Sequence, residues 1–238
     1  EIRLSLVGSE MCIRDRVLAT ITKQNLFRGS VLGVMLGLAY ITQTIGLDLT
    51  TAAITGFLTG LYVVFTPLLF WFVFKKKVDK KVIVGTTLAL TALLFISFNG
   101  ISFDPGQVWL IACALLFAGH IIGLSFWSNA KDIYPLTVVQ LGAGAVVCWL
   151  GAVPDGYQLP PNAFVWGTVV FTAVFATAMA FLIQTWAQSI MDPSRVAIIL
   201  TGEIVFAAAI AVAVGQEVLS ARTIIGGVLI VVAMLIVE

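Results

Sequence analysis

From Lys23 onward the chain alternates long apolar runs with short polar breaks, and that rhythm sets the expectations that follow. Eight runs read as helices, at about 29–47, 52–74, 82–99, 107–127, 135–153, 163–187, 195–214 and 221–237. At ~1.5 Å per residue, helices of this length cross a hydrocarbon core about 30 Å thick. The breaks carry turn chemistry: Lys75-Lys76-Lys77-Val78-Asp79-Lys80-Lys81, Asp104-Pro105-Gly106, Asp132-Ile133-Tyr134-Pro135, Pro154-Asp155-Gly156 and Asp192-Pro193-Ser194. A spanning helix bonds its own backbone groups internally, as a bilayer requires. The predicted fold is all-α, a polytopic membrane helix bundle.

Composition sharpens this picture. Sixty per cent of the 238 residues are hydrophobic and 11% are charged, with a mean hydropathy of +1.08. A water-soluble domain of this size needs more polar surface. The net charge of +1 gives no reason to expect a nucleic-acid partner. Cys12, Cys113 and Cys148 form no CxxC pair, and His120 is the sole histidine, so neither a disulfide framework nor a metal site is expected. No nucleophile elbow, phosphate loop or dinucleotide fingerprint occurs, so the chain is not expected to be an enzyme or to hold a cofactor.

Residues 1–16, EIRLSLVGSEMCIRDR, do not fit the rhythm. Residues 1–22 are expected to be a non-native or disordered N-terminal segment. Beyond them, lysine and arginine set the orientation. Placing the segment before Gly29 in the cytoplasm puts Lys23, Arg28, Lys75, Lys76, Lys77, Lys80, Lys81, Lys131 and Arg195 inside and leaves Arg222 outside. A cytoplasmic C-terminus in the inner membrane follows. The lysine run then reads as a plain cytoplasmic turn, in preference to a lipid-binding patch.

The chain also repeats itself. A shift of 142 residues brings Leu58-Thr59-Gly60 onto Leu200-Thr201-Gly202, Val63 onto Val205, Ile83 onto Ile225, Gly85 onto Gly227 and Leu93 onto Leu235. With one residue of slippage, Gln43-Thr44 falls on Gln184-Thr185. Under the charge rule the lysine hairpin is cytoplasmic and its counterpart near Glu217 is external, so the copies run in opposite directions. Residues 23–103 are expected to hold a partial first repeat of three helices, and residues 104–238 a second repeat of five. Inverted repeats are an architecture of carriers that bind substrate near the bilayer midplane.

Three stretches carry a family resemblance. They are Ala53-Ile54-Thr55-Gly56-Phe57-Leu58-Thr59-Gly60-Leu61-Tyr62-Val63-Val64-Phe65-Thr66-Pro67-Leu68, Ala180-Phe181-Leu182-Ile183-Gln184-Thr185-Trp186-Ala187-Gln188, and Leu200-Thr201-Gly202-Glu203-Ile204-Val205-Phe206-Ala207 with Gly215-Gln216-Glu217. Residues 26–237 thereby resemble the EamA family of the drug/metabolite transporter superfamily. The resemblance implies two inverted bundles of five helices, of which this chain supplies eight, the two expected before Lys23 being absent. Ile204 stands where the family usually has a proline after the glutamate, which leaves open whether the helix kinks there.

Glu203 is the leading candidate for function. An ionised carboxylate at mid-membrane costs about 2.5 kcal/mol or more unless it is paired, hydrated or protonated. It can serve as a proton carrier or as counter-charge to a cationic substrate, or it can sit permanently protonated against a helix carbonyl. His120 can relay protons, or it can be a neutral packing residue. Gln184 inclines to a cavity and Gln43 to interhelical bonding. Gln140, Tyr62 and Thr59 complete the candidate site, with Tyr40 as a further pore-lining residue, while Trp127 and Trp186 suit interfacial anchoring. Gly29-Gly33-Gly37, Gly56-Gly60 and Gly119-Gly123 are spaced for close helix approach. Pro67 predicts a kink.

The function expected is secondary active export or exchange of a small metabolite, amino acid or drug by alternating access, coupled to protons. An uncoupled facilitator and a non-transporting membrane partner are the alternatives. The expected partners are a small-molecule substrate, the lipid bilayer and protons; monomer and homodimer stay open.

Overall fold

The computed structural model describes residues 21–50, 52–75, 77–97, 105–153, 156, 159–213 and 221–237. The expectations for residues 1–16 and for the Glu217 turn lie outside these. Among the described residues the fold is all-α, as the apolar rhythm predicts. The helices are α1 (Lys23–Leu49), α2 (Ala52–Gly60), α3 (Tyr62–Phe74), α4 (Lys80–Ser97), α5 (Pro105–Trp127) and α6 (Ile133–Gly151). They continue with α7 (Ala163–Phe171), a π-helical stretch (Thr172–Met179), α8 (Ala180–Gln188), α9 (Pro193–Leu200), α10 (Gly202–Ala213) and α11 (Ala221–Val237). Five stretches of the described residues are long and apolar enough to span a membrane: Lys23–Leu49, Ile54–Phe74, Pro105–Trp127, Ile133–Gly151 and Ala163–Gln188.

Three runs that read as single helices are interrupted. The 52–74 run breaks at Leu61, the 195–214 run at Thr201, and the 163–187 run passes through the π-helical stretch. Pro67 sits inside α3 and does not end it. The Thr66 hydroxyl donates to the Tyr62 carbonyl at 2.7 Å, one turn back.

The chain divides into two compact units, each drawn from separate stretches: residues up to 37 with 126–190, and 38–125 with 191–238. In the first unit, α1 lies against α6 through its glycines. A Cβ added at Gly29 would stand 2.6 Å from Val139 Cγ1, at Gly33 2.3 Å from the Gln140 carbonyl, and at Gly37 2.7 Å from Val147 Cβ. The four-residue spacing matches on both helices, so the small face admits the neighbouring backbone directly. Gly56, by contrast, meets nothing within 4 Å and is no packing glycine.

In the second unit, α11 runs along α4. The buried face of α4 is Val82, Gly85, Ala89, Ala92 and Leu93; that of α11 is Gly226, Ile230, Ala233 and Val237. Both stripes step by three and four residues along this seam, and Gly85 near the start of α4 meets Ala233 and Val237 at the end of α11, so the two helices run antiparallel. Val63 of α3 and Ile198 of α9 close the same core.

Candidate functional site

The two interruptions of the second unit set the geometry. At the first, the Leu61 amide bonds to the Leu58 carbonyl at 3.2 Å and the Val64 amide to Leu61 at 2.9 Å. At the second, the Thr201 amide bonds to Ile198 at 3.1 Å and the Ile204 amide to Thr201 at 3.2 Å. Both sites tighten from four-residue to three-residue bonding, which loosens the ladder of each helix. The Thr201 hydroxyl reinforces the break by donating to the Ile198 carbonyl at 2.6 Å. A Thr-Gly pair marks both places: Thr59-Gly60 and Thr201-Gly202. The second break therefore forms with isoleucine at position 204, without the proline expected from the resemblance.

Glu203 stands in the first turn of α10 and is exposed. At the N-terminus of a helix the partial positive charge of the unpaired amides favours a carboxylate by about 0.3–1 kcal/mol. Tyr62 is the first residue of α3. Tyr62 stacks edge-on to Phe117 of α5 with centroids 6.4 Å apart, and Tyr40 of α1 meets the same ring at 5.7 Å. Gln43 donates to the buried Thr59 hydroxyl at 3.5 Å, joining α1 to α2. Glu203, Tyr62, Thr59 and Gln43 thus share one unit with the interruptions. His120 lies on α5 in the same unit, 1% exposed.

Gln140 and Gln184 belong to the other unit. Gln140 is fully buried and donates to Thr185 Oγ1 at 3.0 Å. Thr137 donates to the same oxygen at 3.0 Å, and Thr185 in turn donates to the Phe181 carbonyl at 2.7 Å. This chain of bonds fastens α8 to α6. Gln184 itself is half-buried. The Gln184-Thr185 dipeptide is legible in the repeat, yet the buried member is Thr185, which sequence reasoning passed over. Phe117 and Thr201 were also passed over; the recurrence of Thr-Gly could have pointed to Thr201. Among the described residues no cluster of three or more metal-ligating side chains occurs.

Discontinuous helices with a carboxylate at a half-helix end, in a multi-span apolar bundle, define a polytopic membrane protein of transporter type. The profile of the EamA-like transporter family matches residues 12–98 and 104–238. An uncharacterized transporter of Archaeoglobus fulgidus is 36% identical over 211 residues, 88% of this chain and 68% of that protein. The chain belongs to the EamA-like transporter family. It is therefore a multi-pass membrane protein of a family that moves small molecules across the bilayer. One solved crystal structure superposes with a TM-score of 0.73, covering 92% of each chain at 16% identity, and shares the fold.

Proposed function

We propose that the protein is a secondary carrier that moves a small metabolite by alternating access and couples it to protons through Glu203. The observation that carries this reading is the pair of interruptions, at Leu61 just after Thr59-Gly60 and at Thr201 just before Gly202-Glu203, within two residues of register under the repeat shift. Broken helices free backbone groups and helix ends that can hold a substrate, and such breaks occur where they line a cavity. Glu203 sits in the first turn of one half-helix, and Tyr62 opens the half-helix of the other broken span. In this reading Thr59, Gln43 and Tyr62 present polar groups to the solute and His120 supports that lining, while Gln140 and Gln184 serve the other unit. Residues 23–103 and 104–238 act as inverted copies in the cytoplasmic membrane, with the C-terminus inside.

Coupling requires only that the carboxylate hold its proton more tightly in one state than in the other, because a ligand shifts an equilibrium by its differential affinity. The test is reconstitution into liposomes with internal pH recorded while amino acids and small cations are added. A proton flux evoked by one solute and abolished in Glu203→Gln is the expected result. Solute uptake with no proton movement, unaltered by the substitution, would overturn the coupling and favour a facilitator.

A further inference from the structure

A groove of about 550 Å³ runs between α3 and α4 beneath the lysine hairpin, within the ~300–1,000 Å³ typical of small-molecule pockets. Val64, Pro67, Leu68 and Trp71 line it from α3, stepping by three and four residues along one face. Lys80, Ile83, Thr86 and Thr87 face them from α4, and Lys77 stands on the hairpin above. The groove stays open because α4 commits its opposite face to α11 and α3 contributes Val63 to the same core. Leu68, Trp71 and Ile83 remain about half exposed.

We propose that this groove binds an anionic phospholipid, with its phosphate between Lys77 and Lys80 and an acyl chain along the apolar wall. Three observations converge on that occupant. The cations stand at one end only, and the remaining wall is almost wholly apolar, so the groove has the polarity gradient of a lipid. Both lysines are exposed, and each cation near an anionic membrane surface adds attraction. The third is Thr86. Thr87 and Thr91 return their hydroxyls to the carbonyls of Ile83 and Thr87 at 2.9 and 2.8 Å. Thr86 does not: its oxygen is buried and has no hydrogen-bond partner among the described residues. It lies six residues from Lys80, about 9 Å deeper along the helix. Turned about its Cα–Cβ bond, that hydroxyl would enter the groove and could donate to a lipid ester carbonyl below the phosphate. A plain polar turn accounts for the lysines and leaves both the groove and Thr86 unexplained.

The test titrates the purified full chain, in non-ionic detergent, with phosphatidylglycerol brominated in its acyl chains, and reads quenching of tryptophan fluorescence. The expected result is a saturable component of quenching that disappears in Trp71→Phe, above the unsaturable quenching of the other exposed tryptophans. The double variant Lys77→Gln/Lys80→Gln should weaken the apparent affinity roughly 10–30-fold, given about 1 kcal/mol for each cation near the surface. Its melting temperature should hold, since neither lysine is buried. Brominated phosphatidylcholine should quench at least tenfold more weakly, and inorganic phosphate should not displace the lipid at matched concentration. Equal quenching by both lipids, indifferent to the lysines, would overturn the proposal. So would saturable quenching that survives intact in Trp71→Phe, or no saturable quenching at all, as when a second copy or another segment of the protein fills the groove. Displacement by phosphate at matched concentration would reduce the site to an anion contact and overturn it as well.

Discussion

Replacing Gly33 by alanine is the sharpest test of how the first unit is held together. A methyl group there would stand 2.3 Å from the Gln140 carbonyl oxygen, 2.6 Å from Ala143 Cβ and 2.9 Å from the Gly144 amide nitrogen. An ordinary contact needs about 3.4 Å, so α6 must retreat by roughly 1 Å. No rotamer change relieves the clash, because two of the three obstacles are backbone atoms. Retreat also strains the bond from Gln140 to Thr185, which ties α6 to α8. Overpacking of this kind costs about 1–3 kcal/mol, and alanine returns up to about 1 kcal/mol of helix propensity. A net loss of about 1–2 kcal/mol remains, or roughly 2–8 °C in melting temperature for a chain of this size. Gly142→Ala is the matched control: it lies on α6 itself, and its added Cβ would meet nothing within 4 Å. That variant should melt at or slightly above the native temperature. The assay is a thermal melt of purified protein in detergent, followed by a thiol-reactive dye that reports exposure of Cys148 on α6, whose thiol meets the Gly37 carbonyl. Equal melting temperatures for Gly33→Ala and the native protein would refute the close α1–α6 approach.

Other substitutions follow from the same geometry. Thr185→Val removes the acceptor of Gln140 and Thr137 and should cost about 1–3 kcal/mol in the same melt; Thr172→Val, exposed and bonded only to its own helix, should change little. Gly85→Ala would set a methyl 2.3 Å from Val237 Cγ2, with the Ala233 carbonyl at 3.4 Å. The nearest obstacle is a side-chain methyl that can turn away, so this variant should lose less than Gly33→Ala; a larger loss would contradict the described α4–α11 seam. Asp79→Asn breaks a 4.0 Å pair with Arg195 whose side chains are 53% and 34% exposed. Solvent screening limits such a pair to below about 1 kcal/mol, and a shift beyond a few degrees would show that it bears more than surface charge.

Much of the helical plan was legible because hydropathy measures what a bilayer demands, and the eight apolar runs correspond closely to the described helices. Hydropathy is blind to the hydrogen-bond ladder, so it ran straight through Leu61, Thr201 and the π-helical stretch. The proline rule drew attention to Pro67, yet the ladder breaks six residues earlier, beside Thr59-Gly60. The information was present as a repeated tripeptide, Leu58-Thr59-Gly60 and Leu200-Thr201-Gly202, read as ancestry when it was also mechanics. Glycine spacing was a mixed guide: Gly29, Gly33 and Gly37 meet a neighbouring helix, and Gly56 meets nothing. Spacing shows which residues share a face, whereas only tertiary structure shows what that face meets. Gln140 was legible as a polar residue in an apolar run; its partner Thr185 was not, because threonine is ordinary in a membrane helix until something donates to it.

The π-helical stretch bears on how the 163–188 span can be mapped by chemistry. Each residue wound with five-residue bonding turns through a smaller angle than an α-helical one, so the azimuth of Ala180–Gln188 lags behind that extrapolated from Ala163–Phe171. A cysteine-labelling scan along this span should therefore give two separate periodic waves, with a phase slip across Thr172–Met179. Fitted with a single helical wheel, such data would assign the wrong lining residues to one end of the span, even if every individual reactivity were measured correctly.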